Sequence, residues 1–257
     1  MDSSDAAGAA PRWSWQLFGI PIRIHTSWFI VVAFVTWTLA SRYFPDVHPG
    51  LPVAAYWVMG ATAALLLFTC VLLHELGHSL VAKRHGIPVH RVTLFIFGGV
   101  AQIGREPQRP SVELKIALAG PLVSVLLAAL CFAASALLPA RQPAALAIAA
   151  ILRYLALINT GVLLFNLLPG FPLDGGRVLR AAVWAWTGSL PRATRIASRI
   201  GSALGLALLA LGAWEVVKGF WVHGAWSMLL GFFLRNAARR SAGQPAPRSE
   251  AFGPRGS

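Results

Sequence analysis

A chain of 257 residues that is 56% hydrophobic and 12% charged, with a mean hydropathy of +0.64, is not a soluble domain, which would carry about twice that charged fraction. Its apolar residues fall in runs of about 20, the length that crosses a bilayer core, so the composition predicts an all-α polytopic membrane protein. A net charge of +13 would suggest nucleic acid in a soluble protein, but here the basic residues sort by side of a membrane, which excludes that partner and leaves the lipid bilayer.

In chain order, residues 1–12, MDSSDAAGAAPR, are polar, acidic and small. They read as a disordered tail without a cleavable signal, ahead of one transmembrane domain over 13–240. A first span is expected at 27–40, with His25 just before it as an interfacial residue. The second, 54–82, carries no charge from Ala54 to Leu73 and then closes on LLHELGHSL. Residues four apart share a helix face, so His74 and His78 can offer imidazole nitrogens to one metal ion. Glu75 projects beside them and could hold a water. Two imidazoles and a carboxylate suit zinc and leave a fourth position open. Each such group costs about 2.5–3.5 kcal/mol at mid-bilayer, so intramembrane ionisable residues are functional candidates. Cys70, one turn earlier, reads as a small packed residue. With Cys131 in a different span, no disulfide framework is expected.

The segment Val89 to Gly104, VHRVTLFIFGGVAQIG, is β-branched and aromatic. It predicts a small membrane-associated β-hairpin with Gly98-Gly99 at its centre. Its exposed edge, at Phe97, Gly98, Gly99 and Val100, could pair with an unwound polypeptide. Spans follow at 113–138 and 146–168. The stretch FNLLPGFPLDGG, Phe165 to Gly176, should end the second of these at its prolines and reverse at Gly175-Gly176, leaving Asp174 on a rigid turn. His74 and Asn166 each lie about 20 residues into spans that enter from the same side. They reach similar depth, and Asp174 can fold back toward the two histidines. Spans at 196–217 and 221–235 bring the count to about six, and 241–257 reads as a second disordered tail. Of the 22 Lys and Arg, 18 then fall on one side and three on the other, with Arg153 inside a span. That split places both termini in the cytoplasm of a multi-pass cell-membrane protein.

HELGH followed about 90 residues later by NLLPGFPLDGG resembles the site-2 protease family of intramembrane zinc metalloproteases. GIPIRIHTSW at Gly19–Trp28, FGGVAQI at Phe97–Ile103 and AGPLVS at Ala119–Ser124 fit as well. The resemblance spans about Trp13 to Arg240. It implies one zinc ion on His74, His78 and Asp174, Glu75 as general acid and base, and Asn166 as a polar group near the reacting carbonyl. The implied activity is endopeptidase cleavage of a membrane-spanning or membrane-associated protein near the cytoplasmic face, such as an anti-sigma factor or a pro-protein. Ser124 departs from the family, where Asn is common, and reads as peripheral to the metal. With a short tail and only spans between the motifs, the chain resembles a minimal core without PDZ or nucleotide-sensing domains. Two other readings stand beside this one. A metal-ion transporter would need liganding groups along several spans, and the remaining spans carry almost none. An inactive scaffold would not need the intact Glu75.

Overall fold

The computed structural model describes residues 14–96, 98–139 and 142–243. The expected tail 1–12 and Phe97 lie outside these residues, as does the expected C-terminal tail from 244 onward. The described chain is mostly helical with one small sheet, as a chain that must satisfy its own backbone in lipid requires. It divides into two compact units, residues 1–166 and 167–257.

The first unit opens with strands β1 (Ser14–Leu17) and β2 (Ile20–Ile24). Helix α1 (Thr26–Thr38) follows, capped by His25, whose Nδ1 accepts from the Ser27 N–H at 3.2 Å. A π-helical turn at Leu39–Tyr43 leads into the short α2 (Phe44–Val47), and α3 runs from Val53 to Arg84. Strands β3 (Val89–Phe95) and β4 (Gly98–Ile103) precede α4 (Pro110–Leu137) and α5 (Pro143–Asn166).

The expected hairpin at 89–104 is present, but its reversal falls between Phe95 and Gly98, so Gly98 and Gly99 begin β4 instead of forming the turn. Gly98 has a φ of 117°, which a residue with a side chain rarely adopts. The hairpin is also half of a larger sheet. The strand order is β1-β2-β3-β4, with β2 and β3 parallel through Ile22↔Val92 and Ile24↔Leu94. Pro21 precedes that parallel register, so it costs the β2–β3 ladder no donor. The sheet rests on α3 through Ile20, Leu76 and Val92. A second apolar cluster joins α3 to α5 and the π-turn around Phe44, Tyr56, Ala63, Ile151 and Leu155.

The second unit contains α6 (Asp174–Thr187), α7 (Leu190–Val217) and α8 (Trp221–Gly243). Helices α7 and α8 form an antiparallel pair in close backbone contact. A Cβ on Gly205 would lie 2.8 Å from the Gly231 carbonyl oxygen, and one on Gly212 would lie 2.6 Å from that of Gly224. Small residues at such crossings let helices approach closely in an apolar medium. Among the described residues, five helical segments are long and apolar enough to cross a membrane: Thr26–Val47, Val53–Arg84, Pro110–Leu137, Pro143–Asn166 and Leu190–Val217. The sixth expected span, 221–235, is helical within α8 but is not among these five. The C-terminal half of α8 carries Arg235, Asn236, Arg239 and Arg240.

Candidate metal centre

The site grows from the sequence of α3. His74 and His78 are both 4% exposed and stand one turn apart, with their Nε2 atoms 3.2 Å from each other. Each ring is held at its other nitrogen from α4. His78 Nδ1–H donates to the Ile116 carbonyl at 2.6 Å. That oxygen can only accept, so a neutral His78 has its lone pair on Nε2. His74 Nδ1 lies 2.9 Å from the hydroxyl oxygen of Ser124, itself fully buried. Two imidazole nitrogens turned toward each other at this distance need a proton or a cation between them. Two nitrogens on one tetrahedral zinc at about 2.0–2.1 Å would stand about 3.3 Å apart.

The space in front of the pair is kept open by a glycine. A Cβ on Gly120 would fall onto His78 Nε2 and within 2.6 Å of His74 Nε2. On the facing helix, a Cβ on Gly77 would meet Val123 Cγ2 at 2.9 Å and the Ala119 carbonyl oxygen at 3.0 Å. The glycine inside HELGH therefore sets how closely α4 approaches, and AGPLVS supplies the gap and the hydroxyl. Ser124 is not peripheral, as its sequence position implied. It is the group that orients a candidate ligand, the role second-shell partners play at metal sites.

Glu75 leaves the same turn on a different side and is half-buried. Strand β4 passes against it: a Cβ on Gly99 would stand 2.5 Å from Glu75 Cγ and 3.5 Å from Oε1. Only glycine lets the strand backbone come this close to the carboxylate. Because the sheet order leaves β4 at one margin, β4 pairs with β3 alone among the described strands. Gly98, Gly99 and the 46%-exposed Val100 thus lie on the marginal strand beside Glu75.

Asn166 is the last residue of α5 and is half-buried. Asp174 belongs to the second unit. It is the first residue of α6 instead of a turn residue, and it is buried. Gly175 and Gly176 continue that helix. Their role is close approach, not reversal. A Cβ on Gly175 would meet the Leu168 carbonyl oxygen at 2.5 Å, and one on Gly176 the Gly170 carbonyl oxygen at the same distance. The Leu167–Phe171 segment is laid against the helix start and leaves no room for side chains. An acidic residue at a helix N-terminus is also favoured by the helix dipole.

The model of peptidase family M50 matches residues 62–141 and 139–208. The chain is 40% identical over 224 residues to the putative zinc metalloprotease Rip3 of Mycobacterium tuberculosis, covering 87% of this chain and 56% of Rip3. It is 39% identical over 213 residues to the putative zinc metalloprotease sll0528 of Synechocystis, covering 80% of this chain and 54% of that protein. The chain thus spans about half the length of these curated relatives. Among solved structures, the site-2 protease from Methanocaldococcus jannaschii superposes with a TM-score of 0.59 at 28% identity. That match covers 91% of this chain and 97% of the other.

Proposed function

The chain belongs to peptidase family M50, and from that premise we propose that it is an intramembrane zinc metalloendopeptidase acting on membrane-spanning or membrane-associated proteins near the cytoplasmic face. The observation that carries this reading is the His74–His78 pair, with Nε2 atoms converging at 3.2 Å, both Nδ1 atoms held by α4, and a glycine in front. A histidine pair with a merely structural role needs no such gap.

In this reading His74, His78 and Asp174 hold one zinc ion. The Asp174 carboxylate is deeply buried in an apolar chain, where charge is retained only with a cation or donors around it. When bound, the ion acts as a Lewis acid on a peptide carbonyl and on water. Glu75 takes a proton from the attacking water and returns it to the leaving amine nitrogen. It is suited to this because it is next to the histidines but outside the ligand pair, and half-exposed where they are buried. Asn166 offers its side-chain N–H groups to the carbonyl oxygen as negative charge develops there. The marginal strand β4 receives the substrate as an added strand. Its backbone groups replace those the substrate gives up on unwinding from a transmembrane helix. Both termini are then cytoplasmic, and Lys83 and Arg84, about 15 Å beyond His74 along α3, mark the nearer membrane face.

The test compares purified wild-type and Glu75→Gln proteins reconstituted with a single-span substrate. Wild type should contain zinc and cleave, whereas Glu75→Gln should contain zinc and not cleave. A wild-type protein that binds zinc and never cleaves any membrane peptide, while moving zinc across vesicles, would establish the transporter instead.

A further inference from the structure

Arg153 sits inside α5, ten residues past Pro143, and it is exposed. It lines a groove of about 580 Å³ between α4 and α5, walled by Ala128, Ala129, Phe132, Ala156 and Thr160. That volume falls within the roughly 300–1,000 Å³ typical of small-molecule sites. The guanidinium makes no hydrogen bond or ion pair with another described residue. A permanent cation on the lipid-facing side of a membrane helix is costly unless it reaches the interface or meets an anion. Peptide hydrolysis at the histidine pair does not involve Arg153, because Ala128 is eight residues beyond Gly120 along α4, about 12 Å toward the opposite leaflet.

We propose that this groove binds one anionic phospholipid, with its phosphate on the Arg153 guanidinium and an acyl chain along the alanine-floored channel. Three features converge on that ligand. The depth fits an interfacial phosphate: with Asn166 level with His74, about 15 Å inside the face marked by Arg84, Arg153 lies about 20 Å further along α5, near the opposite face of a core about 30 Å thick. A long side chain can climb from there toward the headgroup level. The guanidinium matches phosphate oxygens in a bidentate arrangement that a point charge cannot provide. Leu157 lines the groove as well, and both it and Phe132 are exposed, a surface suited to acyl chains. A carboxylate on a neighbouring transmembrane helix would also complement the charge, but it would have to bring its own desolvation cost into the bilayer. The phosphate already resides at the interface. The Ala128, Ala129 and Ala156 positions supply the missing volume, since larger side chains there would fill the channel.

The experiment uses the full chain in detergent micelles, titrated with dioleoylphosphatidylglycerol, dioleoylglycerol or glycerol 3-phosphate, and counts bound molecules by native mass spectrometry. Wild type should retain one phosphatidylglycerol that neither the phosphate-free lipid nor the chain-free phosphate replaces. Arg153→Leu should weaken that retention by about tenfold or more, the scale of a lost charge-assisted contact. Ala156→Phe, which keeps the charge and fills the groove, should weaken it too. Equal retention by wild type and both variants overturns the proposal. So does equal binding of glycerol 3-phosphate, or an Arg153-dependent transmembrane polypeptide in place of lipid. Zinc content should stay unchanged in both variants, so failure of the lipid site is distinguishable from failure of the metal site.

Discussion

Ser124 Oγ stands 2.9 Å from His74 Nδ1, fifty residues away in sequence, and this hydroxyl is what faces the ring from α4. If the pair orients His74 for a metal ion, Ser124→Ala should lower zinc affinity about 10- to 100-fold, the usual cost of removing such a partner. Competition with a chromogenic chelator reads this directly. Ser124→Asn, which retains a hydrogen-bonding side chain, should recover part of the loss. Identical zinc affinity in Ser124→Ala and wild type would reduce the contact to packing.

Gly120→Ala adds one methyl group where the two Nε2 atoms converge. The expected result is a folded protein that no longer holds zinc, because the added carbon takes the position in front of both nitrogens. Circular dichroism should show the helices intact and elemental analysis should show the metal gone. Normal zinc stoichiometry would mean the ion sits elsewhere.

Gly99→Ala acts on the other side of α3. The new Cβ would stand 2.5 Å from Glu75 Cγ, so the carboxylate must turn away while the histidines stay in place. Turnover should fall about tenfold to a hundredfold, a fraction of what general acid–base catalysis contributes. Zinc content should hold steady. Loss of metal and activity together would show that β4 supports the ligands instead of Glu75.

Substrate addition to β4 is testable by cross-linking. A cysteine at Val100, placed in a Glu75→Gln background so that the complex accumulates, should form a disulfide with a cysteine near the scissile bond of a single-span substrate. Cysteines moved by one residue along the substrate should alternate in yield, because a strand presents its side chains with a period of two. A flat yield across all positions would remove the added-strand mode.

The side of each connection rests on the 18-to-3 division of basic residues. Reporter fusions within 139–146 and after Arg240 should therefore mark opposite faces. Helix α8 is the decisive element. It is less apolar than the five clear spans, yet its glycines meet those of α7 along the pair, Gly231 against Gly205 and Gly224 against Gly212. If α7 crosses, α8 should return beside it. Reporters on the same face would show that α8 lies outside the bilayer.

What could be read in the sequence was what is local. The His74–His78 pair follows from a four-residue spacing on a helix too apolar to hide it. The hairpin at 89–104 followed from its β-branched residues. Ser124 looked peripheral because its partner is on another helix, and no periodicity links residues 74 and 124. Strand β2 is illegible for the same reason: its parallel partner lies beyond α1, α2 and α3. Asp174 reads as a turn residue in the sequence because Pro172, Gly175 and Gly176 usually signal a turn. The structure uses those glycines to admit a neighbouring backbone, and a helix can start on an acidic residue. The legible signal for Gly120 and Ser124 is within AGPLVS, since a glycine and a hydroxyl one turn apart in an apolar run are unusual company.

The parallel pairing of β2 with β3 constrains how the chain threads the membrane, independently of where its charges lie. Backbone hydrogen bonds cannot reach through a bilayer, so Ile22 and Val92 must emerge on one face. The chain between them must then cross an even number of times, and Thr26–Val47 and Val53–Arg84 supply two crossings. An insertion error that dropped or added a crossing there would separate the two halves of the sheet, and with them the strand that lies against Glu75. The ladder thus works as a parity check: only a correctly threaded chain can assemble the surface beside Glu75.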